Sequence, residues 1–494
     1  MAAKAISEIN EPKTLPYCHN AMNDPDFDVR MYLVLALGNM KDPGSVEHLR
    51  ESLKDENVKI RRAASKALMG YDPPDHLWGL IWVMAEGGKD ETQPAKEQLK
   101  KMSAEILPQL RSALTEAGWA TRSAVAQMFG ELKEPRAAGV LCEALKDEDS
   151  DVRRNAAVSL GEIGDMGAVK HLMDSLNDEE EGLGVRLAAA EALTKYPAPD
   201  SLGGHSWLLS MGNEKQKVAS KEALQEAGSA SLDPLLTAMK TGYRTIRPAA
   251  AKALGYINDD RTIEPLMSAL EADDWQLRGD AATALGMLRA SKARQLLVRC
   301  VKDEEWTVRQ ASILALGRIR NKNDMPLITA SLKDADAQVR AATILALGEM
   351  GDPGAVKYIN AALKDPKEDV RSAAAEVLGS FGDEEAVVPL CNSLKDINDN
   401  VRFAAAVALS KLKDIRAFEP LAGALNDWYS NVCRAVAEAL MQYEPPQNLW
   451  GHAWLMGGGE QEERKASTEI INQAGRTAFE PLLAALNDWH GNVR

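Results

Sequence analysis

The sequence predicts an all-α fold, an α-solenoid (superhelix) of about sixteen stacked helical hairpins of 31 residues. Three observations predict it. An arginine, usually in a Val-Arg or Ile-Arg pair, recurs at Arg30, Arg61, Arg122, Arg153, Arg186, Arg247, Arg278, Arg309, Arg340, Arg371, Arg402 and Arg494. Most steps are 31 residues; one is 33, two are 61, and the last is 92, with Cys433 in an intermediate slot. Each arginine precedes an Ala-rich run with helical spacing, and a second helical pattern follows before the next arginine. A fixed period of this length along a whole chain means an array of small stacked repeats, read here as one solenoid over residues 1–494.

The repeat around Arg340 shows why each element forms. Val339, Ala342, Ala346, Leu347 and Met350 lie on one face of a helix. Gly351 suits the position just past its end, and Pro353 blocks continuation. Val356, Ile359 and Leu363 mark a second helix, closed by Lys364 where a cation suits the C-terminal dipole. Asp365-Pro366 makes the turn, and Glu368-Asp369 sits at the next helix start. Neither helix is long enough to stand alone in water, so each buries its apolar stripe against its partner and the neighbouring repeats.

The string Ala341-Ala342…Ala346-Leu347-Gly348-Glu349-Met350-Gly351-Asp352-Pro353 resembles a HEAT repeat, of the short type found in phycobilisome lyases. It recurs as Ala156-Ala157…Leu160-Gly161-Glu162-Ile163-Gly164-Asp165, with weaker copies at Ala373-Ala374…Leu378-Gly379 and Ala281-Ala282…Leu285-Gly286. The resemblance covers essentially the whole chain. It implies a helical solenoid and does not name a function.

Composition narrows the classes. Aromatic residues make up only 5% of the chain, so Ala and Leu do the packing. A net charge of −15 argues against a nucleic-acid backbone as the main ligand and for basic or neutral protein partners. Cys18, Cys142, Cys300, Cys391 and Cys433 are widely spaced, which suggests no disulfide framework and a cytoplasmic setting. The first residues lack the apolar core of a signal peptide, and no apolar run approaches membrane-spanning length.

Three segments depart from the repeat in the same way and align without gaps: Tyr71 to Trp82, Tyr196 to Trp207 and Tyr443 to Trp454. They define modified repeats at about 72–103, 197–228 and 444–475. Their separations, 125 and 247 residues, are close to four and eight repeats, which suggests a duplicated block of four. Each has a proline-led turn, a short helix apolar nearly all round (Leu77, Trp78, Leu80, Ile81, Trp82, Val83 in the first), a glycine loop and a more polar helix. All-round apolar character predicts burial, so Trp82, Trp207 and Trp454 are expected to pack inside and kink the stack; a ligand pocket is the alternative. The glycine loops lack the Lys-Ser/Thr of a phosphate-binding loop and read as turns.

Aspartates precede most of the series arginines by five to seven residues, among them Asp303, Asp334, Asp365 and Asp396. Acids interleaved with guanidinium forks along one edge predict a structural ladder across stacked repeats, not a basic recognition strip. The seven histidines form no His-Glu pairs of the kind that HEAT-like di-iron hydroxylases use. His205 and His452 are equivalent, but Leu80 stands at the third copy, which does not suit a required ligand or base. The pattern yields no catalytic residue, cofactor site or metal-ligand set.

The candidate binding residues are five other tryptophans. Trp119, Trp275 and Trp306 lie three residues before a series arginine; Trp428 and Trp489 lie five before that slot. All five are read as turn residues in polar company such as Asp273-Asp274-Trp275-Gln276 and Asn426-Asp427-Trp428-Tyr429. Stacking puts such turns along one edge, about 8–10 Å apart. Exposed aromatics there are partner anchors; the alternative is that each indole folds over its own turn.

Residues 2–9 match the first helix of a repeat, and Asn492-Val493-Arg494 open the same helix again. That phase suggests a longer array or head-to-tail self-assembly. The expected role is a non-enzymatic scaffold or docking protein. The resemblance supplies the alternative, a bilin-lyase-type protein acting on a tetrapyrrole-carrying partner.

Overall fold

The computed structural model describes residues 2–9, 11–72, 74–101, 107–178, 180–241, 244 and 246–485. Among these every regular element is helical, as the repeat predicts. The chain divides into two compact units, Met1–Ala250 and Ala251–Arg494.

In the second unit the long helices Trp275–Met287, Trp306–Ile319, Ala337–Met350, Glu368–Phe381, Asp399–Leu412 and Ser430–Leu440 pack each on the next. Short helices such as Val356–Ala362 and Val387–Ser393 lie against the long helix that follows them. The Arg340 hairpin forms as expected. Asp336 accepts from the Gln338 amide at the start of the long helix. Gly351 ends it in the left-handed region with φ 66°, where only glycine avoids a Cβ penalty. A single 3-10 turn, Pro353–Ala355, then leads into the short helix, and Asp352 accepts from the Gly354 amide there.

Small residues set the spacing between long helices. A Cβ on Gly317 would lie 2.7 Å from the Ala346 Cα, and one on Gly286 2.7 Å from the Ala315 Cα. Gly255 meets Ala284 and Gly379 meets Ala408 in the same way. Each glycine lies eight residues after its arginine. The backbones therefore touch, and leucines such as Leu316, Leu347 and Leu378 fill the layer behind with no exposed surface.

The first unit repeats this scheme in Phe27–Met40, Trp119–Leu132 and Ser150–Ile163, with one device added. The apolar helices His76–Glu86 and Leu202–Met211 follow the helices Val58–Leu68 and Leu183–Leu193, which end just before the contact-glycine position, held there by Met69 and Thr194. His76–Glu86 packs on Val58–Leu68 before it and on Trp119–Leu132 after it, while the polar helix Lys89–Lys101 packs mainly on His76–Glu86. The glycine has moved onto the inserted helix: Gly79 presses on the Ser65 carbonyl and Gly204 on the Ala190 carbonyl. In the second unit Leu449–Gly458 does the same, with Met441 at the earlier position and Gly451 on the Ala437 carbonyl. Tyr71, Tyr196 and Tyr443 open these segments, and each hydroxyl donates to a carbonyl of the preceding hairpin: Leu37, Leu160 and Asp414. Burial pushes all three phenols up to about 12.

Trp82, Trp207 and Trp454 are 1%, 2% and 3% exposed, which matches the expected burial. His205 and His452 pair through Nδ1 with Ser220 and Ser467, at 3.3 and 3.2 Å. At the first copy both positions are apolar, Leu80 and Ala95, and both are buried.

Candidate functional site

The turn edge is organised by the arginine series. Arg340 Nε and Nη2 donate to the two carboxylate oxygens of Asp365, both at 2.8 Å. Its Nη1 donates to the Asp334 and Ala335 carbonyls, at 3.0 and 3.2 Å. Asp365 also accepts from the Lys367 amide, so one carboxylate closes its own turn and holds the arginine of the hairpin before. Arg278–Asp303, Arg309–Asp334, Arg371–Asp396 and Arg402–Asp427 repeat this rung in the second unit, and Arg30–Asp55 and Arg122–Asp147 in the first. Each of these seven arginines thus pairs with the aspartate of the following turn, while its own turn supplies backbone carbonyls; Arg61 and Arg153 pair with Glu86 and Glu181 instead.

The rungs are about nine-tenths buried, and their charge states follow. Burial alone would raise the Asp365 carboxyl. The Arg340 hydrogen bonds, the Lys367 amide and the charges of Arg340 and Arg371 outweigh it and hold the group below the usual carboxylate range. Asp303, Asp334 and Asp396 are held low by the same balance. The guanidinium donors are spent within the fold, which makes the ladder a support and not a recognition strip.

Carried on this frame, the candidate tryptophans fall into two groups. Trp119, Trp275 and Trp306 are the first residues of their helices, one step past the turn in which sequence reading placed them. There an indole can lean along the helix flank: Trp119 is 55% exposed, Trp306 39%, and Trp275 is half-buried. Trp428 stands in the turn itself, directly after the rung aspartate Asp427, and is 77% exposed. Trp489 lies outside the described residues. Trp119 belongs to the first unit and the other three to the second.

Two neighbours of Trp428 escaped the sequence reading. Tyr429 is half exposed, with its ring 5.7 Å from the Arg402 guanidinium. Ile397 occupies the turn position of Trp428 one hairpin earlier and is 95% exposed. A lone aliphatic in a polar turn carries no periodic signal. Its offset from the arginine slot, the same as that of Trp428, was the clue available. Among the described residues no group of three or more His, Cys, Asp or Glu is arranged to hold a metal ion, and no helix is long and apolar enough to cross a membrane.

The comparisons agree with this architecture. The pattern of HEAT repeats matches residues 1–69, 107–194, 206–286, 263–333, 325–398 and 359–441. One gap, 70–106, covers the first inserted Trp helix, and another, 195–205, covers the turn before the second and its first residues. No curated protein matches the chain. Among solved structures the chain is similar to importin beta in an ammonium sulfate condition, at 15% identity and TM-score 0.51, covering 99% of this chain and 78% of that one. It is similar to the karyopherin Kap121p bound to the SUMO protease Ulp1p, at 14% identity and TM-score 0.50, covering 96% and 60%. The CpcE–CpcF complex of phycocyanin lyase from Nostoc sp. PCC7120 aligns at 20% identity over 58% of this chain and 94% of that one, with a TM-score of 0.27.

Proposed function

The chain belongs to the HEAT repeat family, and from that premise we propose that it is a non-enzymatic scaffold that docks a protein partner along its turn edge. The observation that carries this reading is the run Ile397, Trp428 and Tyr429. Large apolar side chains stand in solvent at matching positions of successive hairpins, and the Arg402–Asp427 rung fixes the turn beneath two of them. A rigid backbone presenting exposed aromatics loses little entropy on binding, which is what an anchor requires. Trp275 and Trp306 extend the same edge on adjacent hairpins. Trp119, and Trp489 by its sequence position, are assigned the same role. The acidic balance of the chain favours a basic or neutral protein partner over nucleic acid. The spacing of the cysteines favours a cytoplasmic setting. The bilin-lyase alternative has no observation of its own to carry it.

The test is affinity capture from native extract with the full chain, followed by mass spectrometry of what is retained. The wild type is compared with Trp275→Ala/Trp306→Ala and with Ile397→Ser/Trp428→Ala. Specific partners weakened by about 2 kcal/mol or more in either folded variant support the edge. Unchanged capture by both variants rejects it.

A further inference from the structure

We propose that a groove between the helices Phe27–Met40 and Val58–Leu68 docks an acidic amphipathic helix of a partner protein, on a surface other than the tryptophan edge. The groove is open and has a volume of about 480 Å³, room for a few side chains of a docked segment. Its floor exists because the two helices touch: a Cβ on Gly38 would lie 2.6 Å from the Ala67 Cβ. Beside that contact the floor is lined by Met31, Leu35 and Ala63, and Leu35 is 43% exposed. Covering this apolar strip favours a partner that brings aliphatic side chains to it.

Charge says what else the partner carries. Lys41, Lys59, Arg62 and Lys66 line the groove, and no acidic side chain does. Arg62 and Lys66 follow Lys59 by three and seven residues, so the three form a row of about 10 Å along one helix face. Lys41 reaches the end of that row from the other side, its Cε 3.4 Å from where a Gly70 Cβ would stand. Among the described residues Lys41, Lys59 and Lys66 have no ion-pair partner, and Arg62 has only Glu91 of Lys89–Lys101, at 3.9 Å.

Comparable places elsewhere in the array are answered from within the chain. Nine residues after Arg122, Arg153 and Arg340 stand Glu131, Glu162 and Glu349. Glu131 pairs with Lys96 and Lys100, Glu162 with Lys195, and Glu349 with Arg320. The groove beside Leu314 and Leu345 holds Arg318 and Arg320 against Glu349 and Glu376, two charges of each sign. In the first groove the same places, nine residues after Arg30 and Arg61, hold Asn39 and Gly70. The missing carboxylates are the partner's to bring.

The row also selects the partner's shape. Glutamates at i, i+3 or i+4, and i+7 of a helix match Lys59, Arg62 and Lys66, and an aliphatic residue between them faces Leu35. Nucleic acid and anionic membranes are longer polyanions. They would meet the rest of a chain of net charge −15, beginning with Asp28, one turn before Met31, and Glu91. A short acidic helix meets the groove alone, within a Debye length of its cations.

Fluorescence anisotropy with the full-length protein tests the assignment. The probe is a labelled helical peptide of about fourteen residues, with Glu at i, i+3 and i+7 and Leu between them. It should bind saturably. A scrambled peptide of the same composition should bind about tenfold more weakly or worse, and a version with lysine for glutamate should not bind. Lys59→Glu/Lys66→Glu should weaken the acidic peptide about tenfold or more, and Leu35→Ser about fivefold. These side chains are exposed, and urea midpoints check that the variants fold. Lys215→Glu/Lys240→Glu makes the same change of net charge at exposed lysines on other helices and should leave the affinity within about twofold. Overturning results are no saturable binding, equal binding of the scrambled peptide, or an equal loss in Lys215→Glu/Lys240→Glu. Tighter binding of a poly-dT oligonucleotide or of phosphatidylserine vesicles than of the peptide, at equal salt, would also overturn it.

Discussion

Arg340 pairs with Asp365 of the following turn, 25 residues on, and not with Asp334 of its own turn, six residues back. The aspartate of its own turn contributes only a backbone carbonyl. This one register converts a row of local turn motifs into a chain of links between hairpins, each clamping the next. It also explains why Asp303, Asp334, Asp365 and Asp396 resist protonation: each carboxylate answers to its own turn's amide and to the arginine of the hairpin before it.

The rung is therefore worth stability. Arg340→Ala leaves Asp365 about nine-tenths buried without its guanidinium. The expected loss is about 2–4 kcal/mol, below the range for breaking a fully buried pair because the Lys367 amide still serves the carboxylate. Arg340→Lys should recover only part of it, since an ammonium cannot make the two-pronged contact. Urea unfolding measures both; a loss under about 0.5 kcal/mol for the alanine variant would show the rung to be idle.

That register was the part of the ladder the sequence could not reveal. In a strict 31-residue period, an aspartate six residues before every arginine is also one 25 residues after the arginine before it. Periodicity cannot separate the two pairings; only the stacking geometry does. Local signals were easier to read. Gly351 and Pro353 marked a helix end that forms where they place it, and the all-round apolar run from Leu77 to Val83 announced the burial of Trp82. The path of the inserted helices was not legible, because it depends on a glycine leaving one helix and reappearing on another. At the turn edge, the tryptophans were visible as residues out of place in polar surroundings. Their unequal exposure was not, because Trp275 and Trp428 differ by a step from helix to turn that propensity does not resolve.

Close approach between long helices predicts a contrast between two glycines. Gly317→Ala forces a methyl to within 2.7 Å of the Ala346 backbone and should cost about 1–3 kcal/mol through overpacking. Gly139 lies in the short helix Ala138–Ala144 with nothing within 4 Å of an added Cβ. Gly139→Ala should stabilise by about 0.5–1 kcal/mol, the helix-propensity difference. Equal effects from the two in thermal or urea unfolding would mean that the helices do not touch at Gly317.

Tryptophan emission should separate the two classes of indole. In variants keeping only Trp82, emission should be blue-shifted and nearly immune to iodide, as its 1% exposure requires. With only Trp428 kept, emission should be red-shifted and readily quenched, given its 77% exposure. Strong quenching of Trp82 would place the first inserted helix outside the core.

Acid should weaken the fold in two steps with different origins. Burial pushes the His205 and His452 imidazoles below their ordinary value, so each is neutral when folded and takes up a proton more easily when unfolded. Their contribution is complete above about pH 6.5 and is lost as pH falls from there toward the lower folded value. The rung aspartates Asp303, Asp334, Asp365 and Asp396 behave separately: held below their ordinary range, they lend stability above about pH 4 and lose it as pH falls through their folded values. The first inserted helix shows how to remove the upper step, because Leu80 and Ala95 fill the places of the histidine and serine with apolar groups. The quadruple change His205→Leu, Ser220→Ala, His452→Leu and Ser467→Ala should therefore flatten the stability profile between about pH 7 and pH 5. A smaller slope should remain from His19, which burial also pushes down against its stacked neighbour His48, and one of opposite sign from Asp280, whose carboxyl burial pushes up to about 6. The steep loss below pH 4 should persist, since every rung is intact. Urea midpoints across the pH series measure both steps, and an unaltered slope above pH 5 would show that the buried histidines do not control the upper one.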